Sequence, residues 1–346
     1  MNRARAANMI EPDCASALSP PRRAHGGAVE PGVLDFSANL NPLGPPDSLA
    51  AVLTPENVLR YPEPGSLALC RALAERHDVD AESVLVTNGA CEAIELVMAS
   101  LAPRRVVVLA PAFTEYEDAA RAWGHEVVTF CAREEDEFHW QLARLDLHPH
   151  DLLVLGNPSS PAGVLTELPD TAATLLVDET YLDFVEHPAS AIGRPRTLVV
   201  RSFTKLFACP GLRLGYLVGG VAAPRARQPA WSVSRLAQAA GLAMLAENEY
   251  QAFTRRFVCE RREELTSQLQ SIPGIKVFPS SANFLLLRVS GAAHVARRLL
   301  ERAIAVRLCD GFTGLEPDSF LRVAVRKRSE NQRFVETLTE TLHAAR

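Results

Sequence analysis

The chain has 346 residues, of which 47% are hydrophobic and 22% charged, and its formal net charge is -5. This length allows one large domain and a smaller one, because single cores stop growing at roughly 250–300 residues. The acidic balance gives no broad basic surface, and no apolar run reaches the roughly 18 residues of a membrane span, so neither nucleic acid nor a membrane is an expected partner.

The N-terminus, the cysteines and the histidines predict neither a targeting signal nor a metal site. Residues 1–24 are rich in Ala, Arg and Pro but lack the apolar region of a signal peptide, so they are predicted to form a mobile tail. The seven cysteines are scattered singly, which favours a reducing, cytoplasmic setting over a disulfide framework. His148 and His150 lie in a polar loop, where histidines are usually just solvated.

Short apolar, β-branched runs alternate with helical patterns from residue 83 to residue 218. Runs that are apolar on both faces are typical of strands covered by helices on both sides. The alternation predicts an α/β fold with a doubly wound, mostly parallel sheet. A helix is predicted over 90–101, between the first two strands. The predicted strands are 83–87, 105–109, 126–130, 151–155, 174–177, 197–201 and 215–218.

The pattern changes after about residue 219 and predicts a smaller α+β domain. We expect a large domain over 51–225, a small domain over 226–346, and an N-terminal arm over 25–50 that packs on the small domain. The elements predicted after residue 230 are mostly helix over 231–270, strands at 276–278 and 283–289, a helix over 292–302, strands at 305–308 and 321–325, and a last helix from about residue 330.

Polar residues follow several predicted strands, at the sheet edge where α/β proteins bind ligands. The first strand runs into Gly89, Ala90 and Cys91 at the start of a helix, where free backbone N–H groups suit a phosphate, although such turns are common. Neither G-x-G-x-x-G nor G-x-x-x-x-G-K occurs here, which argues against a dinucleotide-binding site and against a P-loop.

Further polar residues follow the neighbouring strands. An acid such as Asp178 at a strand end is often only a helix cap, and a lysine such as Lys205 near a phosphate site can act by charge alone. The whole constellation favours a ligand site instead, because all its members follow strands of one sheet. These members are Asn157, Asp178, Tyr181, Ser202, Lys205 and Arg213.

The chain resembles the fold-type I aminotransferase family, whose cofactor is pyridoxal 5'-phosphate (PLP). Four stretches match in order and spacing: TNGACEAIEL, NPSSPAG, VDETYLDF and RSFTKLFACPGLRLGY. Lys205 lies 27 positions after Asp178, and Tyr181 lies 3 positions after Asp178, as in that family. The resemblance covers the chain from His25 onward and implies a PLP-dependent enzyme.

The resemblance implies a role for each residue at the sheet edge. Lys205 would hold PLP as a Schiff base and later carry protons, and Asp178 would pair with the pyridine nitrogen so that the ring accepts carbanion charge. Asn157 and Tyr181 would hydrogen-bond the ring oxygen. Phe113 would stack on the ring face, although it fits an ordinary core equally well on local sequence. The cofactor phosphate would be bound by Ser202, Arg213 and the backbone at Gly89, Ala90 and Cys91.

Two more matches concern the substrate and a second subunit. Arg322, in FLRVAV, matches the arginine that binds the substrate carboxylate as a bidentate fork. Tyr61, in RYPEPGS, matches the tyrosine that reaches the cofactor phosphate of the neighbouring subunit, which implies a homodimer with shared active sites. The loop NPSSPAG departs from the family's usual NPNNPTG, with Ser159, Ser160 and Ala162 at the changed positions.

The stretch HGGAVEPGVLDFSANLNPLGPP resembles the threonine-phosphate decarboxylases of cobalamin biosynthesis, a subgroup close to the histidinol-phosphate aminotransferases. It implies that the arm contacts a small phosphorylated amino acid. His25, Gly26 and Gly27 would form a nest for the substrate phosphate, with a flexible turn as the alternative interpretation. Asn41 is a further expected substrate contact.

The same site residues serve two reactions, and the bond at Cα that stands perpendicular to the cofactor plane decides between them. The resemblance favours decarboxylation of L-threonine O-3-phosphate to (R)-1-amino-2-propanol O-2-phosphate. The alternative is transamination of histidinol phosphate or a related amine. A non-catalytic regulator would need an attached DNA-binding domain, for which residues 1–24 are too few.

Overall fold

The computed structural model describes residues 26–27 and 30–344, without the side chain of Ala344. The predicted tail over 1–24 and His25 lie outside these residues. The helices are α1 (Asp47–Val52), α2 (Pro55–Leu59), α3 (Leu67–His77), α4 (Gly89–Ser100), α5 (Glu115–Ala122), α6 (Phe203–Leu206), α7 (Ala222–Arg227), α8 (Arg235–Leu245), α9 (Asn248–Gln270), α10 (Ala292–Glu301) and α11 (Arg328–Ala344). The strands are β1 (Leu34–Asp35), β2 (Val84–Thr87), β3 (Val106–Ala110), β4 (Val127–Cys131), β5 (Leu152–Gly156), β6 (Thr174–Asp178), β7 (Thr197–Ser202), β8 (Gly215–Val218), β9 (Ile275–Val277), β10 (Phe284–Val289), β11 (Ile304–Ala305), β12 (Arg307–Leu308) and β13 (Phe320–Ala324).

A seven-stranded sheet forms the centre of the large domain, with the order β2-β8-β7-β6-β5-β3-β4. The strand β8 runs antiparallel to both of its neighbours, and the other pairs in the sheet are parallel. All seven strands predicted from the sequence are confirmed, and their ends differ from the predicted ends by at most one residue. The prediction succeeds because each strand is a short apolar run between turns.

Helices cover both faces of this sheet, which explains why its strands do not alternate between apolar and polar residues. Successive residues of one strand enter different cores: Val106 and Val108 pack with α4 and α5, and Val107 and Leu109 pack on the opposite face. Among residues 26–27 and 30–344, no helix combines the length and apolarity needed to cross a membrane.

The small domain is built on a four-stranded antiparallel sheet with the order β12-β13-β10-β9. The single strand predicted over 305–308 divides into β11 and β12, because its two halves pair with different partners. The strand β11 pairs with β1 in the arm, and β12 pairs with β13. The arm is therefore attached to the small domain by backbone hydrogen bonds, and further along it the N–H of Asn41 donates to the carbonyl oxygen of Lys205 in the large domain.

The long helix α9 connects the two cores. Val258 packs in the same cluster as Leu69 and Met244, whereas Leu265 and Leu269 pack with the strands of the small domain. The change of core falls within α9, later than the boundary at residue 226 that the sequence suggested. Helix α8 belongs to the large domain because its apolar face packs against α1 and α3.

Candidate active site

A cavity of about 330 Å³ lies where the carboxyl ends of β5, β6 and β7 meet the arm and the small domain. This position agrees with the rule that ligands of open α/β sheets bind beyond the strand ends. The cavity brings together most of the predicted site residues. Its lining includes Gly26, Ala90, Cys91, Phe113, Asp178, Tyr181, Ser202, Lys205, Arg213 and Arg322.

Lys205 reaches the cavity because the chain turns from strand to helix just before it. The strand β7 ends at Ser202, whose hydroxyl caps α6 by accepting from the backbone N–H of Thr204 at 3.2 Å. No carboxylate in the described part of the chain forms an ion pair with Lys205. Lys205 lines the cavity, and a lysine amine is a group that can take part in covalent and proton-transfer chemistry.

Asp178 ends β6 and is 7% exposed. One carboxylate oxygen accepts from the backbone N–H of Thr180 at 2.9 Å, and the other accepts from the hydroxyl of Tyr116 at 2.7 Å. Burial raises the pKa of Asp178, and the hydrogen bonds from Thr180 and Tyr116 act in the opposite direction. A buried carboxylate with two fixed donors suits a cationic ring nitrogen.

A cradle for a phosphate forms where α4 begins. Gly89 has φ +79, and an added Cβ there would lie 2.8 Å from Nη2 of Arg213. A Cβ on Gly215 would lie 2.7 Å from the carbonyl carbon of Gly89, so β8 also approaches this turn closely. The helix N-terminus, the Arg213 guanidinium and the hydroxyls of Ser202 and Thr204 together suit a dianion.

Between Asp178 and the arm lie polar atoms that could hydrogen-bond the ring oxygen of a bound PLP. The hydroxyl of Tyr181 accepts a hydrogen bond from Nδ2 of Asn39 at 3.2 Å. Asn39 is 1% exposed, and its Oδ1 has no hydrogen-bond partner among the described residues. Phe113 lines the same cavity and meets the Tyr116 ring edge-on, with centroids 5.7 Å apart. The unpaired Oδ1 of Asn39 and the ring of Phe113 fit PLP, because Phe113 is placed to cover one face of the cofactor ring.

The opposite end of the cavity carries two arginines on neighbouring strands. Arg307 on β12 pairs directly with Arg322 on β13, and both side chains line the cavity. Arg322 donates to Oγ of Ser160 at 2.9 Å and to the carbonyl oxygen of Ser37 at 3.0 Å. Burial, and after it the charge of Arg322, lowers the pKa of Arg307. This pair suits a ligand with anionic groups.

Sequence reasoning missed Arg307, Asn39 and Tyr116, although signals for two of them existed. Arg307 lies in a predicted strand that could have been paired with the strand of Arg322. Tyr116 follows Phe113 by three positions across the turn that leads into α5, and this close spacing brings the two rings into contact. For Asn39 the sequence offers two candidates, Asn39 and Asn41, and gives no means of choosing between them.

Five of the predicted site residues that the structure describes do not line the cavity, namely Gly27, Asn41, Tyr61, Gly89 and Asn157. Asn41 is 3% exposed, and its amide donates to Leu206 O, Tyr250 Oη and Thr254 Oγ1, so it holds the arm on the large domain. Asn157 is paired with the backbone of Thr166, at 3.0 Å and 2.9 Å. Both amides make hydrogen bonds within the chain, and the predictions that Asn41 binds substrate and that Asn157 binds cofactor and substrate stay predictions.

The glycines of the arm lie beside Ser37. An added Cβ on Gly26 would overlap the Ser37 carbonyl oxygen, and the N–H of Gly27 donates to Ser37 Oγ at 2.9 Å. Gly26 lines the cavity, whereas Gly27 and Tyr61 do not. Tyr61 is 79% exposed, and its ring contacts Trp231 with centroids 5.2 Å apart.

The lysine, the hydrogen-bonded aspartate and the phosphate cradle at the end of one sheet define a PLP-dependent enzyme of fold type I. The chain belongs to the family described as aminotransferase class I and II, whose model matches residues 31–338. The family, fold and cofactor predicted from the sequence are thereby confirmed.

Individual relatives include enzymes of two activities. The chain is 36% identical to threonine-phosphate decarboxylase of Salmonella typhimurium, over 92% of this chain and 96% of that protein. It is 32% identical to histidinol-phosphate aminotransferase of Moorella thermoacetica, over 90% of this chain and 86% of that protein. The solved structure of L-threonine-O-3-phosphate decarboxylase from Porphyromonas gingivalis matches with a TM-score of 0.82 and 28% identity, covering 90% of this chain and 100% of that one.

Proposed function

We propose that this enzyme decarboxylates L-threonine O-3-phosphate to (R)-1-amino-2-propanol O-2-phosphate, as a step of cobalamin biosynthesis. The observation that carries the proposal is the pair of arginines, Arg307 and Arg322, neither of which has an ion-pair partner among residues 26–27 and 30–344. With Arg213 assigned to the cofactor phosphate, these two cations remain for substrate. Threonine phosphate carries a carboxylate and a phosphate, whereas histidinol phosphate carries a phosphate alone.

The residues of the cavity supply the parts that decarboxylation needs. When bound, PLP supplies an electron sink for the negative charge that develops at Cα as a bond to it breaks. Asp178 would hold a proton on the pyridine nitrogen, and the hydroxyl of Tyr181 would contact the ring oxygen. After carbon dioxide leaves, Lys205 Nζ would deliver a proton to Cα.

The substrate end would decide which bond breaks. Arg322 is fixed by two hydrogen bonds, to Ser160 and to the backbone of Ser37, so it cannot follow a carboxylate that rotates. We assign the substrate carboxylate to Arg322, and the phosphate to Arg307 together with Gly26. Two anionic groups held at separate points restrict rotation about Cα, and a restricted rotation can keep one bond perpendicular to the ring.

The decisive experiment compares two substrates on the same enzyme. With threonine phosphate labelled at the carboxylate carbon, we expect labelled carbon dioxide through many turnovers and no requirement for a keto acid. The alternative is supported by the 32% identity to a histidinol-phosphate aminotransferase. Under that alternative, histidinol phosphate would be turned over only with 2-oxoglutarate present, and threonine phosphate would release no carbon dioxide.

We also propose that the enzyme works as a homodimer in which Tyr61 completes the site of the partner subunit. Tyr61 lies on a surface where several apolar side chains are exposed: Val58, Leu59, Leu67 and Trp231 are between 47% and 81% exposed. Such a patch supports burial against a second copy. Inactive Tyr61→Ala and Lys205→Ala proteins should regain activity when mixed, because one site of the mixed dimer has both wild-type groups. Proven subunit exchange without recovery would place Tyr61 outside the site.

The cysteines support a cytoplasmic, reducing setting for this enzyme. The six that the structure describes are free, at positions 70, 91, 131, 209, 259 and 309. Burial raises the pKa of Cys209 and Cys309, to about 11 and about 12, so these thiols stay protonated and inert at neutral pH.

A further inference from the structure

Tyr116 is a deeply buried polar residue next to Asp178. Its side chain is 2% exposed, and its hydroxyl donates to Oδ2 of Asp178 at 2.7 Å. The other oxygen of Asp178 accepts from the backbone N–H of Thr180. The carboxylate is thus held by a donor on each oxygen, and the Tyr116 hydroxyl is the donor to Oδ2. Removing it would leave Oδ2 buried without that donor.

The surrounding chain reserves space for this hydroxyl. Gly156 is paired with Asp178 across β5 and β6, and an added Cβ on Gly156 would lie 3.3 Å from the Tyr116 hydroxyl oxygen. Tyr116 also meets Phe113 edge-on, at an interplanar angle of 85°. The same turn at the start of α5 therefore presents one aromatic ring to the cavity and one hydroxyl to Asp178.

The direction of the hydrogen bond is fixed by the two groups. Burial, and after it the charge of Asp178, raises the pKa of Tyr116 well above its usual range, so the phenol keeps its proton. The other groups that face it are Tyr181 and Cys91, and Lys205 faces Asp178. A phenol that keeps its proton can only donate to a carboxylate, and that donation favours the ionised form of Asp178.

We propose that Tyr116 is a positioning residue for the cofactor: its hydrogen bond orients the Asp178 carboxylate and keeps it ionised, so that Asp178 can hold the proton on the pyridine nitrogen. The inference deepens the proposed function, but it rests on PLP and Asp178 and not on the identity of the substrate. It can therefore be tested without substrate, and its failure would be distinct from failure of the decarboxylase proposal.

The test uses the holoenzyme loaded with PLP that carries ¹⁵N in the ring. In Tyr116→Phe we expect the ¹⁵N resonance to move from the protonated toward the unprotonated position. The dissociation constant for PLP should rise roughly ten- to a hundredfold, as for the loss of a charge-assisted hydrogen bond. An unchanged resonance together with an unchanged dissociation constant would overturn the proposal.

Tyr216→Phe is the matched control. Tyr216 is 5% exposed, and its hydroxyl lies 2.8 Å from Nε2 of His77, outside the cavity lining. This variant loses a comparable buried hydrogen bond, so its ¹⁵N resonance should stay at the wild-type position. An equal movement in both variants would mean that a general loosening of the fold is responsible, and the proposal would be wrong.

Two further variants keep the test decisive. Asp178→Asn should move the resonance further than Tyr116→Phe, and adding Tyr116→Phe to Asp178→Asn should change it little, because Tyr116 acts through Asp178. If the two substitutions moved the ¹⁵N resonance additively, Tyr116 would not act through Asp178 and the proposal would be wrong. If Tyr116→Phe fails to fold, Gly156→Ala takes its place. This variant keeps the Tyr116 hydroxyl, and its added methyl group would displace that hydroxyl slightly. We expect a smaller movement in the same direction, and no movement would count against the proposal.

Discussion

The two ends of the cavity are built in different ways. The cofactor end is carried by the large domain, where Asp178, Ser202 and Lys205 stand at or just after the carboxyl ends of adjacent strands. The substrate end joins three separate parts of the chain: Ser37 in the arm, Ser160 in a loop of the large domain, and Arg322 in the small domain. One end depends on a single sheet, and the other depends on contacts between domains.

Because of this difference, the residues that would support bond breaking at Cα are separate from the residues that would decide which bond breaks. The groups at the cofactor end serve any reaction in which charge develops at Cα, so relatives with different activities can share them. In the proposed function the substrate end would set how Cα is oriented, and small changes in the arm or the loop would alter that orientation without disturbing the cofactor. Variants of the two ends should therefore fail in different ways.

The largest effect is expected at the cofactor end. Lys205→Ala should lower kcat by at least about 10³-fold, because both the covalent link to PLP and the proton carrier are removed. Borohydride reduction and peptide mapping should place the cofactor label on Lys205 in the wild type and nowhere in the variant. The chain has two other lysines, Lys276 and Lys327. Lys276→Ala is the control, and a label on either of these lysines in Lys205→Ala would contradict the assignment.

A smaller effect with a different signature is expected at the substrate end. Arg322→Gln and Arg307→Gln should each lower kcat/KM for threonine phosphate by roughly ten- to a hundredfold, since each loses a charge-assisted contact. Affinity for PLP should stay near the wild-type value. Comparison with unphosphorylated L-threonine separates the two arginines: Arg307→Gln should reduce the preference for threonine phosphate, and Arg322→Gln should weaken both substrates alike. The reverse pattern would exchange their roles.

The smallest effect on catalysis is expected at Asn157. Asn157→Ala should lower the free energy of unfolding by about 1–3 kcal/mol, because the backbone N–H and carbonyl of Thr166 lose their partner. Chemical denaturation measures this change, and the absorbance of bound PLP should remain that of the wild type. A changed cofactor spectrum with unchanged stability would support the prediction that Asn157 binds the cofactor.

Most residues predicted for the cofactor end line one cavity, and the sequence could bring them together because each is tied to a local signal. Lys205, Asp178 and Gly89 all lie next to strands that are visible as apolar runs, and the spacing between them is specific to the family. The residues that line the substrate end are harder to identify from the sequence. Whether Asn39 or Asn41 faces the cavity depends on how the arm crosses the large domain, and Arg307 is identified only when β12 is paired with β13. Such contacts join residues that are far apart in the sequence, and the hydrophobic periodicity of a single segment does not predict them.

The most direct test of the account is which bond at Cα is broken, and it can be read from one reaction in D₂O. Decarboxylation replaces the carboxylate with a deuteron and leaves the original α-hydrogen in place. We predict that NMR of the product from threonine phosphate will show one deuterium and one retained hydrogen at that carbon. Loss of the α-hydrogen to solvent, with a keto acid as product, would contradict the account and show transamination instead.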